Sequence, residues 1–255
     1  MKKILVPTLV AAAIGSLTSV AQAAEPESTL AFNAGVVSDY RYRGISQSRL
    51  EPALQGGADY TDKSGFYVGA WGSTIKWIKD AGTIANVPGV KGPVELDLYG
   101  GYKGAVGDVS YDVGFLRYEY VGNKYKDVTG VNANTNEIYG AVTYGLFTAK
   151  YSHAISELFG IPDSKNSYYL DLSAALDLGD GYSLTPHVGY QKVKGLYDAD
   201  ASYTDYALTL AKDLGNGLSV TGALVGTDAK ESFYFTPANK FTGKSGVVVG
   251  LKYSF

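Results

Sequence analysis

The feature that most narrows what this chain can fold into is a period-two alternation of apolar and polar residues, repeated in segments of about ten between Leu30 and Phe255. In Tyr168–Leu178 the positions Tyr168, Leu170, Leu172, Ala174, Leu176 and Leu178 are apolar, while Tyr169, Asp171, Ser173, Ala175 and Asp177 are mostly polar. Tyr182, Leu184, Pro186, Val188 and Tyr190 likewise oppose Ser183, Thr185, His187, Gly189 and Gln191, and the face of Val94, Leu96 and Leu98 opposes that of Glu95, Asp97 and Lys103. Successive side chains of a strand point to opposite faces, so each segment is a strand with one apolar and one polar side. A soluble sandwich could use the same alternation, so the connections must decide.

The candidate strands are Leu30–Tyr40, Pro52–Thr61, Gly65–Thr74, Val94–Ala105, Asp108–Tyr120, Thr135–Tyr144, Leu146–Ile155, Tyr168–Leu178, Tyr182–Lys192, Tyr203–Lys212, Leu218–Thr227 and Gly246–Phe255. Their connections alternate in length. Asp62-Lys63-Ser64, Val106-Gly107, Gly145, Gly179-Asp180-Gly181 and Asp213–Gly217 are tight, with Gly, Asn and Asp suited to the positive φ of short hairpins. Between them lie long loops such as Arg41–Glu51, Ile75–Pro93, Val121–Asn134 and Asp228–Ser245. Short turns at one end and long loops at the other predict an all-β fold: a closed up-and-down antiparallel transmembrane β-barrel of about twelve strands. Two strands fit less cleanly. The face of Trp71 and Tyr67 also holds Gly69 and Ser73, and the face of Val113 and Phe115 runs on into Arg117 and Glu119, as a bulge or emergence from the membrane near Leu116 would produce.

The remaining composition agrees. Met1-Lys2-Lys3, the apolar run Ile4–Leu17 and Ala21-Gln22-Ala23 read as a secretory signal peptide (residues 1–23) cleaved after Ala23, leaving a barrel over 24–255. There is no cysteine, and hence neither a disulfide nor a thiolate metal site. No later apolar run reaches the roughly 18–20 residues of a membrane helix. The chain has 22 basic and 25 acidic residues, or 20 against 25 without Lys2 and Lys3, a net of −5 that argues against nucleic-acid binding. The 22 tyrosines suit boundaries that are apolar on one side and wet on the other. Two belts are expected, with Tyr60, Tyr102, Tyr111, Tyr144, Tyr182 and Phe255 near the short turns and Trp71, Tyr118, Tyr120, Tyr168, Tyr190 and Tyr206 near the long loops.

The run Val37-Ser38-Asp39-Tyr40-Arg41-Tyr42-Arg43-Gly44-Ile45-Ser46-Gln47-Ser48, with Pro52–Tyr60, Gly65–Ser73 and Glu95–Lys103, resembles the TorF-type porin family of proteobacterial outer-membrane proteins, formerly of unknown function. The resemblance covers most of the chain after the leader and implies an outer-membrane barrel with pore activity, but no particular solute. Tyr151–Pro162, with His153, carries no family-typical pattern.

Inward parity assigns Asp59, Glu95, Asp97, Asp112, Glu137, Asp171, Asp177 and Asp205 to the lumen, against Lys103, Lys150, Lys252 and His187. Solvated carboxylates in excess would bias a passage toward cations; pairing with the lysines in a filled lumen would select nothing. Arg41, Arg43 and Arg49 cluster in the first long loop, either as an ordinary solvated face, as a contact to anionic solute or lipopolysaccharide phosphate, or as a positive wall folded inward. Leu251, Tyr253 and Phe255 look like the signal read by barrel-assembly machinery. Asp198, Asp200 and Asp205 lack the spacing of a calcium loop. No Gly-x-Ser-x-Gly elbow accompanies His153 or His187, and Gly243-Lys244-Ser245 lacks the first glycine of a phosphate loop, so no enzyme is expected and no cofactor or metal. The expectation is a porin-like channel in the bacterial outer membrane, in contact with its lipid and lipopolysaccharide, passing small hydrophilic solutes. A plugged barrel acting as adhesin or structural protein through its loops is the alternative. The oligomeric state is open.

Overall fold

The computed structural model describes residues 27–255, so the leader and its expected cleavage site lie outside the described residues. Twelve antiparallel strands follow one another around a closed sheet in chain order. They are β1 (Thr29–Val37), β2 (Ala53–Thr61), β3 (Phe66–Thr74), β4 (Val94–Val106), β5 (Val109–Tyr120), β6 (Thr135–Tyr144), β7 (Phe147–Ala154), β8 (Tyr168–Ala174, resuming as Leu176–Gly179), β9 (Tyr182–Lys192), β10 (Tyr203–Gly215), β11 (Leu218–Thr227) and β12 (Gly246–Ser254). The two pieces of β8 both pair with β9 and act as one strand interrupted at Ala175.

Closure is made by β1 and β12, in register from Asn33 opposite Ser254 to Val37 opposite Gly250. The backbones of Phe32 and Phe255 exchange two further hydrogen bonds of 2.8 and 3.0 Å, and their rings stack. A hydrocarbon environment has no donors or acceptors for an open strand edge, so this seam removes the one edge that lipid could not tolerate. The turns behave as their composition predicts. Asn216 and Gly217, at φ 52° and 82°, form the two-residue turn between β10 and β11 whose twist matches the flanking strands.

The outer face is apolar. Leu30, Leu54, Leu98, Val142, Leu172, Leu208, Leu224, Val247 and Leu251 all point away from the lumen and are exposed. Tyr60, Tyr144, Tyr182, Tyr253 and Phe255 are exposed at the short-turn end of this band, and Tyr151, Tyr190 and Tyr206 near the long-loop end. Three members of the expected upper belt face the other way. Trp71, Tyr118 and Tyr120 point into the barrel and are buried, because the lumen at that level is filled rather than watery. The register of β5 against both neighbours is continuous, so no bulge carries Arg117 and Glu119 out of the membrane. The strand simply continues beyond the apolar band, where the two side chains pair with each other at 2.5 Å. The loop 75–93 also holds a helix, α1 (Trp77–Ile84), that strand periodicity did not reveal; its buried face is Ile78, Asp80 and Gly82.

This arrangement predicts a one-sided response to charge. Leu172→Arg, on the lipid-facing side of mid-β8, should cost about 2–4 kcal/mol, whereas Thr209→Arg on the inner side of β10 should cost much less. Denaturant unfolding of the two variants in lipid vesicles measures the difference; equal losses would mean that inner and outer faces are misassigned.

Candidate functional site

The lumen has two unlike halves. On the inner face, toward the short turns, polar side chains are half-buried and arranged around tyrosines. Lys103 Nζ sits 4.5 Å from the Tyr67 ring, and Lys150 Nζ sits 4.1 Å from the Tyr139 ring. The Tyr67 hydroxyl donates to Asp112 at 2.6 Å and also meets the Tyr139 hydroxyl, while the Tyr99 hydroxyl bonds Asp59. His187 lies between two carboxylates, with Nε2 2.7 Å from Asp171 and Nδ1 3.7 Å from Asp205. Lys252 also lies on this face, on β12, and is half-buried. Asp177 is the exception. It lies in the last stretch of β8, is exposed, and accepts the Gly179 backbone N–H at 2.9 Å, so it shapes a turn.

The half toward the long loops is occupied by the first loop, residues 38–52, which folds into the barrel. Its tip is a small hairpin in which Arg41 opposes Ser46 and Tyr42 opposes Ile45. The turn residues Arg43 and Gly44 both have positive φ, 46° and 77°. A two-residue turn of this hand favours glycine at its second position. Space demands it as well, since a Cβ at Gly44 would collide with Thr227 and Asp205 on the wall. Asp39 organises the base, accepting from Arg41 Nε and from the hydroxyls of Ser46 and Ser48. Arg41 Nη1 then donates to the carbonyls of Gly44 and Thr242, both at 2.9 Å, tying this loop to the last one.

Arg43 projects from the tip across the lumen. Its Nη2 donates to both oxygens of Glu137 at 3.0 and 2.8 Å, its Nη1 to Gln191 at 2.6 Å, and its guanidinium lies 4.3 Å from the Tyr169 ring. One residue of the first loop thus touches β6, β8 and β9 together. Around it Tyr40 donates to Glu95, the hydroxyls of Tyr42 and Tyr118 meet, and Tyr40 packs edge-on against Trp71. Glu95, Glu137, Asp205, Tyr118 and Tyr120 are each no more than 2% exposed.

The three arginines expected to cluster are therefore separated. Each takes a carboxylate of its own: Arg41 with Asp39, Arg43 with Glu137, and Arg49 with Asp80 of α1. Two of them do fold inward, but as paired charges and not as a bare positive wall. Asp198, Asp200 and Asp205 also diverge, the first pairing with Lys192, the second with Lys230, the third reaching Tyr169 inside the barrel. The hydrogen bond from Lys192 holds Asp198 below the ordinary carboxylate range. His153 faces outward, bonded to Tyr151 and Asn166. Leu251, Tyr253 and Phe255 share the outer face of the closing strand, the last two rings stacked. Parity in the sequence found the wall carboxylates; that Tyr40 meets Glu95 and Arg43 meets Glu137 was missed, because Tyr40 and Arg43 lie in a loop whose path no periodicity describes.

A family model described as a bacterial protein of unknown function, Gcw_chp, matches residues 21–255. No curated protein matches the chain. Among solved structures, the KdgM porin is similar with a TM-score of 0.52 at 10% identity, over 89% of this chain and 99% of that one. The NanC porin gives a TM-score of 0.53 at 10% identity, with the same two coverages of 89% and 99%. A KdgM porin in complex with disordered oligogalacturonate gives 0.51 at 9% identity, again over 89% and 99%.

Removing one partner of a buried ion pair costs about 3–5 kcal/mol, against about 0–1 kcal/mol for a solvent-exposed pair. Arg43→Ala should therefore release the first loop, raising hydrogen exchange of residues 38–52 at least tenfold while barrel amides stay protected. Lys76→Ala, which breaks the pair with Glu51 whose two side chains are 39% and 48% exposed, should change exchange there only slightly. Exchange mass spectrometry reads both, and equal protection of the loop in wild type and Arg43→Ala would show that Arg43 does not hold it.

Proposed function

Starting from a chain that belongs to the Gcw_chp family of bacterial proteins and has the fold of the KdgM and NanC porins, we propose an outer-membrane, porin-like channel for small hydrophilic solutes. The observation that carries this reading is the inner face toward the short turns, where Asp59, Asp112, Asp171, Lys103, Lys150 and His187 are only half-buried inside a closed barrel with an apolar exterior. A barrel that served only as an anchor would have no need of charged groups held in a wet interior. The resemblance of the first third of the chain to TorF-type porins supports the same reading.

The sign of the wall charge supports a preference for cations. Seven carboxylates, Asp59, Glu95, Asp97, Asp112, Glu137, Asp171 and Asp205, face inward, against Lys103, Lys150, Lys252 and Arg43. Fields from such a wall are focused by the low-dielectric surroundings and raise the local concentration of counter-ions. A polyuronate such as the oligogalacturonate bound by the KdgM porin would meet repulsion on this wall, so we propose that the solutes here are neutral or cationic. We assign no catalytic role to either histidine.

The buried long-loop half favours a second reading, a barrel closed by its first loop that acts through its outer loops as an adhesin or structural protein. Planar bilayers under a salt gradient separate the two. The channel reading expects discrete current steps with a cation-leaning reversal potential, moved toward zero in Asp59→Asn/Asp112→Asn/Asp171→Asn. Silence from protein shown to be folded by its heat-modifiable gel mobility would overturn it in favour of the closed barrel.

A further inference from the structure

Among the described residues, Asp97 is the one lumen carboxylate without a hydrogen-bond partner. It is 4% exposed, and its Oδ1 is buried with no hydrogen-bond donor among the described residues. Its neighbours are acidic: Glu95 and Glu137 both lie within its electrostatic range, and Arg43, which pairs with Glu137, is bonded to both of that residue's oxygens. A buried carboxylate with neither a donor nor a counter-charge is costly, and proteins rarely leave one so.

The surroundings have a definite chemistry. The register places Trp71 of β3 directly opposite Asp97 on one side and Tyr118 of β5 directly opposite on the other, all on the inner face. Two aromatic residues of the first loop cover them, with Tyr40 edge-on to Trp71 and Tyr42 edge-on to Tyr118, each pair 5.5 Å between ring centroids. Asp97 also acts electrostatically on the hydroxyl groups of Tyr40, Tyr42 and Tyr118. A carboxylate among aromatic rings is the pattern by which proteins hold ammonium groups, through charge and the negative face of the ring.

The same wall uses this pattern twice with its own side chains. Lys103 is seated over Tyr67 within range of Asp112 and Asp59, and Lys150 over Tyr139 within range of Glu137, Asp112 and Asp171. At Asp97 the acid and the rings are present and no lysine reaches them; Arg43 lies over Tyr42, 4.8 Å from its ring centroid, but its charge is taken by Glu137. Resting on the channel reading, we propose that Asp97, with Trp71, Tyr118, Tyr40 and Tyr42, is a recognition site for the ammonium group of a small cationic solute, placed under the first loop at the narrow end of the lumen.

Trp71 supplies the reporter, because the chain has only two tryptophans and Trp77→Phe leaves it alone. In that background, ammonium or methylammonium chloride, at ionic strength held with N-methylglucamine chloride, should change Trp71 fluorescence saturably in detergent-solubilised protein. Asp97→Asn should weaken half-saturation by about tenfold or more, as loss of a charge-assisted contact implies, and Asp177→Asn at the turn should not. Methylammonium should also raise the thermal unfolding temperature of the wild-type protein more than sodium does, a readout that stands if Asp97→Asn fails to fold. The proposal is overturned by a flat titration, which would leave a protonated Asp97, by an equal response in Asp97→Asn, or by sodium matching methylammonium in both assays. Because no current is measured, a protein that conducts but does not bind overturns this site alone. One that binds but stays silent overturns the channel reading alone.

Discussion

The constraint on which the rest of the structure depends is that lipid offers no hydrogen-bond partner to a strand edge, so the sheet must close on itself through β1 and β12. Closure with twelve strands then sets a second problem. Eight strands enclose a space that side chains can fill and sixteen or more leave a channel, so twelve leave an interior too wide for wall side chains alone and narrow enough for one loop to cross. The first loop takes that space at one end, and half-buried charged side chains line it at the other. On the proposed channel reading, the charged half supplies the field and the loop supplies the restriction.

What holds the loop in place can be ranked by burial. The pair of Lys76 with Glu51 lies at the surface end and is solvated on both sides, so it contributes little. Arg43 with Glu137 is almost fully enclosed, at 6% and 1% exposure, and its geometry is two-pronged with Gln191 and Tyr169 completing the contacts. A buried pair of this kind adds little net stability relative to apolar packing, but it is costly to break in halves, so it fixes where the loop lies more than how firmly the barrel folds. Gly44 makes the same placement possible sterically, since its missing side chain lets the hairpin tip lie against Asp205 and Thr227.

The barrel was legible in the sequence because two of its causes are written there directly: side-chain alternation, as in Tyr168–Leu178, and turn residues such as Asn216-Gly217. The same parity placed Asp59, Asp97, Asp171 and His187 on the inner face. The belt assignment failed for Trp71, Tyr118 and Tyr120, where aromatic character suggested a membrane boundary and the residues instead line a filled lumen. Aromatic side chains suit either place, and only the path of the first loop decides between them. That path depends on contacts nearly a hundred residues and more away in the chain, Arg43 to Glu137 and to Gln191, which no local pattern encodes. Helix α1 escaped for a related reason: eight residues inside a polar connection carry too short a period to stand out.

The central proposal is that the barrel is a channel and that the inserted hairpin of the first loop restricts it. Single-channel conductance of a variant in which residues 41–46 are replaced by two glycines, compared with the wild type under the same salt, tests it most directly. The account predicts larger current steps in the variant, with the acidic wall still favouring cations; steps of unchanged size would contradict it, because solute would then be passing by a route the hairpin does not border.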